Sequence, residues 1–199
     1  MSSVIVQIIF LFFLILLNGF FAMSEIAIVS GRRTRFQQLA DEGDPRARTV
    51  LALTADPSRF LSTVQSGITL VGILTGAFGG TTVAGDLGRL LEKVPFLGAS
   101  GRPVAVVLVV LVTTFFSIIL GELIPKQLAL QYSERVALAV SQSVRFLAAI
   151  LSPFARVLSA CSGLVLKLFG VKEMRQQPVS EEEIKVMIDE GIEHGMFVE

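Results

Sequence analysis

Two acidic residues lie inside stretches of this sequence that are otherwise apolar. Glu25 follows IIFLFFLILLNGFFAMS, and Glu122 follows PVAVVLVVLVTTFFSIILG. An ionised side chain that faces lipid is costly, so acids within membrane spans usually face a helix-bundle interior or a water-filled cavity. The polar side chains in comparable positions are those of Asn18, Ser24 and Ser66. Carboxylate, hydroxyl and amide oxygens are the ligands that hard divalent cations prefer, so the chemistry open to this set is cation binding.

The flanking basic residues indicate that four of these side chains lie at a similar depth, whereas Asn18 lies deeper. Glu25 is seven residues before Arg32, the first arginine of the following loop. Ser66 is seven residues after Arg59, and Glu122 is four residues before the next lysine. At about 1.5 Å of rise per residue, these positions are roughly 10, 10 and 6 Å inside the same membrane boundary. Two carboxylates at one depth repel each other, and a divalent cation between them would remove that penalty.

The third apolar helix is expected to be broken at GELIPK, residues 121–126. Pro125 has no N–H to donate to the carbonyl of Gly121, its partner in a regular helix. The free oxygen of Gly121 becomes a further ligand, and the absent side chains of Gly67 and Gly121 let an ion or a neighbour approach closely. The predicted metal site consists of Asn18, Ser24, Glu25, Ser66, Gly67, Gly121 and Glu122.

Structural roles stay open for the same residues. Glu25 could cap or snorkel near its helix end, or pair with an arginine of the following loop. Glu122 could form only an i,i+4 ion pair with Lys126, which contributes tenths of a kcal/mol when exposed. The serine hydroxyls could bond back to their own helices.

The composition is typical of a membrane protein. Of the 199 residues, 52% are hydrophobic and 17% are charged, and the mean hydropathy is +0.71. The 17 basic and 17 acidic residues balance, so no global charge favours nucleic acid. One cysteine and one histidine exclude a multi-cysteine or multi-histidine metal site. The apolar segments contain no Ser/His or paired-Asp arrangement, so we predict that the protein is not an enzyme.

Three segments approach the roughly 20 apolar residues that a helix needs to cross a membrane. They are residues 4–29, 60–83 and 103–124. We therefore predict an all-α membrane protein whose transmembrane core, residues 1–130, has three transmembrane helices. Within the second span, Gly72, Gly76 and Gly80 recur every four residues, a pattern typical of close helix–helix contact.

The distribution of basic residues predicts the orientation. Six Lys and Arg residues lie in 31–59, three in 84–102 and eight from residue 126 onward. The positive-inside rule then places the N-terminus outside and the C-terminus in the cytoplasm. We predict a multi-pass protein of the plasma membrane.

The stretch 136–170 is moderately apolar, with Arg145, Arg156 and Lys167 spaced through it. Such spacing fits amphipathic helices along the cytoplasmic interface, so we predict juxtamembrane interfacial helices over 131–175. The alternative is a hairpin or a fourth span, which would bury an arginine in lipid and, if a span, move the C-terminus outside. Within residues 176–199, Ser180 is followed by three glutamates, a helix-start pattern that predicts an acidic linker helix leading to a soluble domain.

Three stretches of the sequence, NGFFAMSEIAIVS, SGITLVGILTGAFG and GELIPK, resemble the signature stretches of the CNNM/CorC magnesium transporter family. The membrane part of that family is called the DUF21 domain, and the resemblance covers essentially the whole chain. It implies a homodimer with three spans per subunit, a belt of interfacial helices and an ion site in each membrane domain. The site motif carries over onto Ser24, Ser66, Gly67, Gly121 and Glu122, with Asn18 and Glu25 nearby.

The resemblance also implies a function. Family members are associated with Mg²⁺ efflux, with Na⁺ as the candidate coupling ion, and with regulation by a pair of soluble CBS domains. The CBS pair is absent from this sequence, so ATP binding is not expected of it. The expected partners are a second copy of the chain, membrane lipids and the CBS pair, without nucleic acid.

We predict that the protein transports Mg²⁺, binding it among the transmembrane helices and releasing it outward. Two alternatives stay open. One is a membrane Mg²⁺ sensor or scaffold that does not transport and signals through the CBS domains. The other is a divalent cation channel.

Overall fold

A computed structural model describes residues 2–96 and 98–168, which are helical almost throughout and contain no strand. Helices α1 to α8 span Ser2–Ser30, Arg33–Asp41, Pro45–Leu53, Pro57–Phe78, Ala84–Leu91, Gly101–Ile118, Ile124–Gln131 and Ser133–Leu168. Two π-helical turns, Gly79–Val83 and Ile119–Leu123, join α4 to α5 and α6 to α7. The prediction of an all-α membrane protein is confirmed.

Four helical stretches of the described ranges are long and apolar enough to cross a membrane. The first three, Val4–Ser30, Pro57–Leu91 and Gly101–Gln131, contain the three predicted spans. The second and third extend past the predicted limits at both ends, because backbone hydrogen bonding continues where the side chains become polar. The chain is therefore a multi-pass membrane protein.

The fourth candidate span is α8, so the predicted count of three differs by one. Residues 133–168 form one helix instead of several, and Pro153 lies inside it without ending it. Arg145 and Arg156 are exposed on its surface. By length and composition, α8 could therefore be the fourth span that was the alternative interpretation. Its position along the membrane interface stays a prediction.

The chain divides into two compact units, Met1–Ser159 and Ala160–Glu199. The first unit contains α1 to α7 and most of α8. Of the second unit the structure describes residues 160–168, the last turns of α8. The predicted acidic linker helix, 176–199, lies outside the described residues, and the predicted domain limits stay predictions.

The loop between the first two spans folds as a pair of short helices, α2 and α3, with clear start signals. Asp44 accepts a hydrogen bond from the backbone N–H of Arg46 at 2.8 Å and caps α3. The side chain of Arg46 also donates to this carboxylate, and these hydrogen bonds lower the pKa of Asp44. Asp56 caps α4 in the same way through the N–H of Arg59 at 3.0 Å. Gly43, with φ of 100°, supplies the left-handed turn between α2 and α3.

Helix α1 is the central element, because it packs against α4, α7 and the π turn at 119–123. It runs antiparallel to α4: the rings of Phe10 and Phe78 contact edge to face with centroids 4.8 Å apart, while Phe21 lies against Gly67 near the other end. The buried apolar cluster draws on several helices and includes Leu14, Phe21, Ala27, Ile28, Val64, Val71, Ala129, Ala137 and Val144. This packing positions the predicted site residues.

The N-terminal half of α8 packs on this bundle. Gln142 donates a hydrogen bond from Nε2 to Thr49 Oγ1 of α3 at 3.2 Å. Further along α8, the side chain of Leu151 lies over Gly67 of α4. Helix α8 is thereby joined both to the α2–α3 pair and to the second span.

Candidate functional site

The first and third spans meet at a side chain to backbone hydrogen bond. Asn18 Nδ2 donates to the carbonyl oxygen of Gly121 at 3.1 Å, across 103 residues of sequence. We predicted that Pro125 would leave this oxygen free as a ligand; in the structure it accepts the hydrogen bond from Asn18. The amide oxygen of Asn18, Oδ1, is buried and has no hydrogen-bond partner within the described ranges. An unused acceptor therefore lies beside GELIPK.

The third span continues through GELIPK, so the predicted break is wrong. Residues 119–123 form a π-helical turn, in which Ile124 N–H bonds to the carbonyl of Ile119, five residues earlier. Pro125 follows as the second residue of α7. Proline lacks an N–H and its ring clashes with the preceding turn, and a widened turn accommodates both without ending the helix. Such turns occur frequently at functional sites.

Gly19 is a contact residue that the sequence analysis missed. A Cβ atom there would lie 2.6 Å from the carbonyl oxygen of Leu120 and 3.0 Å from Pro125 Cγ. On the opposite side of the contact, a Cβ at Gly121 would lie 3.3 Å from the carbonyl oxygen of Ile15. The two backbones thus touch at the π turn. The signal that could have indicated this was the Asn-Gly pair in the middle of an apolar run.

The two predicted carboxylates share one cluster with a lysine. Lys126 Nζ lies 2.6 Å from Glu122 Oε1, so the ion pair that was the structural alternative for Glu122 is present. The Glu122 side chain is 51% exposed and that of Lys126 is 35% exposed. The charges of both residues also act on the carboxylate of Glu25, which is partly buried on α1. These three residues form a loose charged cluster: Glu122 and Lys126 are in direct contact on the third span, and Glu25 lies on the first span close enough for their charges to act on it.

The two predicted serines are buried and bonded to their own helices. Ser24 Oγ donates to the carbonyl of Phe20, and Ser66 Oγ donates to the carbonyl of Ser62, each at 2.6 Å. These are the back-bonds considered as the structural alternative. The oxygen of each hydroxyl keeps acceptor capacity after donating its proton, so both could still ligate a cation.

Gly67, next to Ser66, is covered by hydrocarbon. A Cβ there would lie 2.8 Å from Leu151 Cδ1 and 3.2 Å from the ring of Phe21. The close approach that the sequence predicted at Gly67 is thus made by side chains of α8 and α1. Gly67 adjoins α1, the helix that carries Asn18, Ser24 and Glu25.

The described residues contain no group of three Asp, Glu, His or Cys side chains that could hold a metal ion. A cation in this region would have to combine the carboxylates of Glu25 and Glu122 with neutral oxygens. The orphan Oδ1 of Asn18 and the two serine hydroxyls are neutral oxygens of the kind that Mg²⁺ and Ca²⁺ accept.

Comparison with known proteins assigns the family. The family described as the Cyclin M transmembrane N-terminal domain, CNNM, matches residues 8–199. The UPF0053 protein sll0260 of Synechocystis is 43% identical over 100% of this chain and 44% of its own length. YhdT of Bacillus subtilis is 33% identical over 92% of this chain and 40% of its own length.

A third relative has a name that states an activity. The polyamine export protein of Haemophilus influenzae is 29% identical over 92% of this chain and 42% of its own length. The chain spans less than half the length of these three relatives. Together with its bundle of apolar helices, the match over residues 8–199 shows that the chain belongs to the CNNM transmembrane domain family.

Proposed function

We propose that this chain is the membrane part of a cation exporter and that its cargo is Mg²⁺. The observation that carries the proposal is the cluster of Glu25, Glu122 and Lys126 at the contact between the first and third spans. Two acids near a membrane boundary are costly unless a cation balances them. The proposal keeps the N-terminus outside, the C-terminus in the cytoplasm, and the plasma membrane as the location.

In the proposed mechanism, the ammonium of Lys126 is paired with the carboxylate of Glu122 while no cargo is bound. A cation that enters from the cytoplasm displaces this ammonium and is held by Glu122 and Glu25, with the amide oxygen of Asn18 as a neutral ligand. Mg²⁺ gives up its water reluctantly, so it would keep several waters in so exposed a site. The π turn is the element that can re-register, because its hydrogen bonding differs from that of the helices on either side.

A polyamine is the second candidate cargo, and one structural feature favours it. The ammonium of Lys126 on Glu122 is chemically the same group as the terminal ammonium of a polyamine. A polyamine could therefore replace Lys126 without any change in the ligand chemistry. The name of the Haemophilus influenzae relative agrees with this candidate.

Flux measurements with purified protein in liposomes separate these candidates. We expect protein-dependent Mg²⁺ movement, read with an entrapped Mg²⁺-sensitive dye, at rates that exceed the movement of labelled spermidine. Spermidine flux without Mg²⁺ flux would reject Mg²⁺ and support the polyamine. Binding of Mg²⁺ without flux of either would support the sensor, and unitary currents in planar bilayers would identify a channel. An Na⁺ gradient that drives Mg²⁺ flux would identify the coupling ion.

We further propose that the protein is a homodimer whose contact lies along α4. A Cβ atom added at Gly72, Gly76 or Gly80 meets no atom of this chain within 4 Å, so the predicted contact face is open. Gln65 and Thr69 lie on the same stripe of α4, and both are exposed. A glutamine inside a membrane span is unfavourable against lipid, but it can donate to and accept from its own copy across a two-fold axis.

Cysteine crosslinking tests this face. In a Cys161→Ser background, we expect Thr69→Cys to form a disulfide-linked dimer readily in membranes under mild oxidation. The matched control is Leu74→Cys, which is also exposed but lies about 140° around the helix from residue 69. Equal crosslinking at both positions, or none at residue 69, would contradict the proposed contact. Gly76→Leu is expected to reduce the crosslinking of Thr69→Cys, because its side chain would separate the helices.

A further inference from the structure

A polar cavity lies where the first and third spans reach the side of the membrane that carries α2 and α3. Its volume is about 430 Å³, within the usual range for sites that bind small molecules. It is formed by the end of α1, the end of α7 and the start of α8. The lining side chains that matter here are Ser30, Arg32, Ser133, Glu134 and Arg135.

Two guanidinium groups of this cavity form no ion pair with an acid of the described ranges. Arg32 and Arg135 come from segments about a hundred residues apart in sequence, and both are exposed. The four ion pairs among the described residues include neither of them. The carboxylate of Glu134 lies in the first turn of α8, where the helix dipole already favours a negative charge. Two arginines and one glutamate line the cavity, so its charged side chains leave a net positive charge.

The position of the cavity favours a ligand from the membrane. Ser30 is the last residue of α1, so the cavity opens at the level where the first span leaves the apolar layer. Lipid phosphates lie at this level, and anionic lipids attract basic groups on the cytoplasmic side. Arginine binds phosphate through two parallel N–H donors, and the hydroxyls of Ser30 and Ser133 can donate to the remaining oxygens.

We propose that this cavity binds the phosphate of an anionic phospholipid headgroup between Arg32 and Arg135. The bound lipid joins the end of the first span to the start of α8. This site is separate from the cluster around Glu122, and its test needs no transport measurement.

Native mass spectrometry of the purified protein, titrated with short-chain phosphatidylglycerol, tests the proposal. We expect saturable binding of one lipid per chain. Arg32→Ala and Arg135→Ala should each weaken this binding about tenfold, because each removes a charge-assisted contact to the phosphate. The matched control is Arg33→Ala combined with Arg35→Ala, which removes two charges from the same basic segment outside the cavity and should leave binding unchanged.

The comparison ligands distinguish the source of the phosphate. Equally tight binding of inorganic phosphate would show that the cavity binds phosphate from a soluble ligand, and would overturn the assignment to a lipid. Equal binding of short-chain phosphatidylcholine, or an equal loss in the control variant, would show general adsorption and overturn the proposal. Thermal unfolding of each variant, measured without added lipid, separates loss of the site from loss of the fold.

Discussion

Glu122→Gln is expected to abolish both the stabilisation of the protein by Mg²⁺ and the Mg²⁺ flux. The substitution removes the carboxylate that pairs with Lys126 in the structure and that is proposed to bind Mg²⁺. At a Mg²⁺ concentration about 100 times Kd, one-site binding stabilises a protein by about 2.7 kcal/mol. For a chain of this size that is roughly 5–10 °C in Tm, and the variant should lose all of it. Thermal unfolding with and without Mg²⁺, followed by flux in liposomes, measures both effects.

Lys126→Met provides the opposing test of the same cluster. It removes the competing ammonium and keeps the carboxylate, so Mg²⁺ should bind more tightly. We expect the half-saturating Mg²⁺ concentration to fall at least about tenfold, because the repulsion between a nearby ammonium and a dication exceeds about 1.4 kcal/mol at an effective dielectric constant of about 20. If the Glu122–Lys126 pair were only structural, both variants would lower Tm alike and neither would change the response to Mg²⁺.

Glu42→Gln is the matched control for the lost carboxylate. Glu42 lies just after α2 on the same side of the membrane and accepts a hydrogen bond from Gln38 outside the cluster. Its replacement should leave both the Mg²⁺ response and the flux unchanged. Retention of Mg²⁺ stabilisation and flux in Glu122→Gln would reject the proposed site.

Gly19→Ala is expected to destabilise the protein strongly, although alanine normally favours a helix. The new Cβ would lie 2.6 Å from the carbonyl oxygen of Leu120, and a backbone atom cannot rotate away. Helix α1 would have to move from the π turn, which would also stretch the hydrogen bond from Asn18 to Gly121. Overpacking of this kind typically costs 1–3 kcal/mol, so we expect Tm to fall by about 6–12 °C at the upper end of that range.

Gly85→Ala is the control for Gly19→Ala. Gly85 is also helical, but a Cβ there meets no atom within 4 Å. Its replacement should therefore stabilise the protein by up to about 1 kcal/mol through helix propensity alone. A similar response of Tm in the two variants would mean that the contact between α1 and the π turn contributes little to stability.

The sequence by itself determined the helices that build this protein. The length of each apolar run predicted the first three candidate spans, because a helix satisfies its backbone hydrogen bonds locally and the bilayer sets the length required. The same local reasoning placed an irregularity at GELIPK, since the missing N–H of Pro125 affects only the preceding turn. It could not distinguish a break from a π turn, because that depends on which backbone partners the surrounding helices leave available.

Only the tertiary structure decided which groups meet. The partner of the Gly121 carbonyl is Asn18, and the side chain over Gly67 is Leu151, which lies 84 residues away in sequence. The sequence predicted several helices where α8 is one, because a proline is tolerated inside a helix where packing compensates for the lost hydrogen bond. Contacts of this kind depend on how whole helices pack against one another. A sequence pattern describes each helix separately, so it does not show which distant residues will meet.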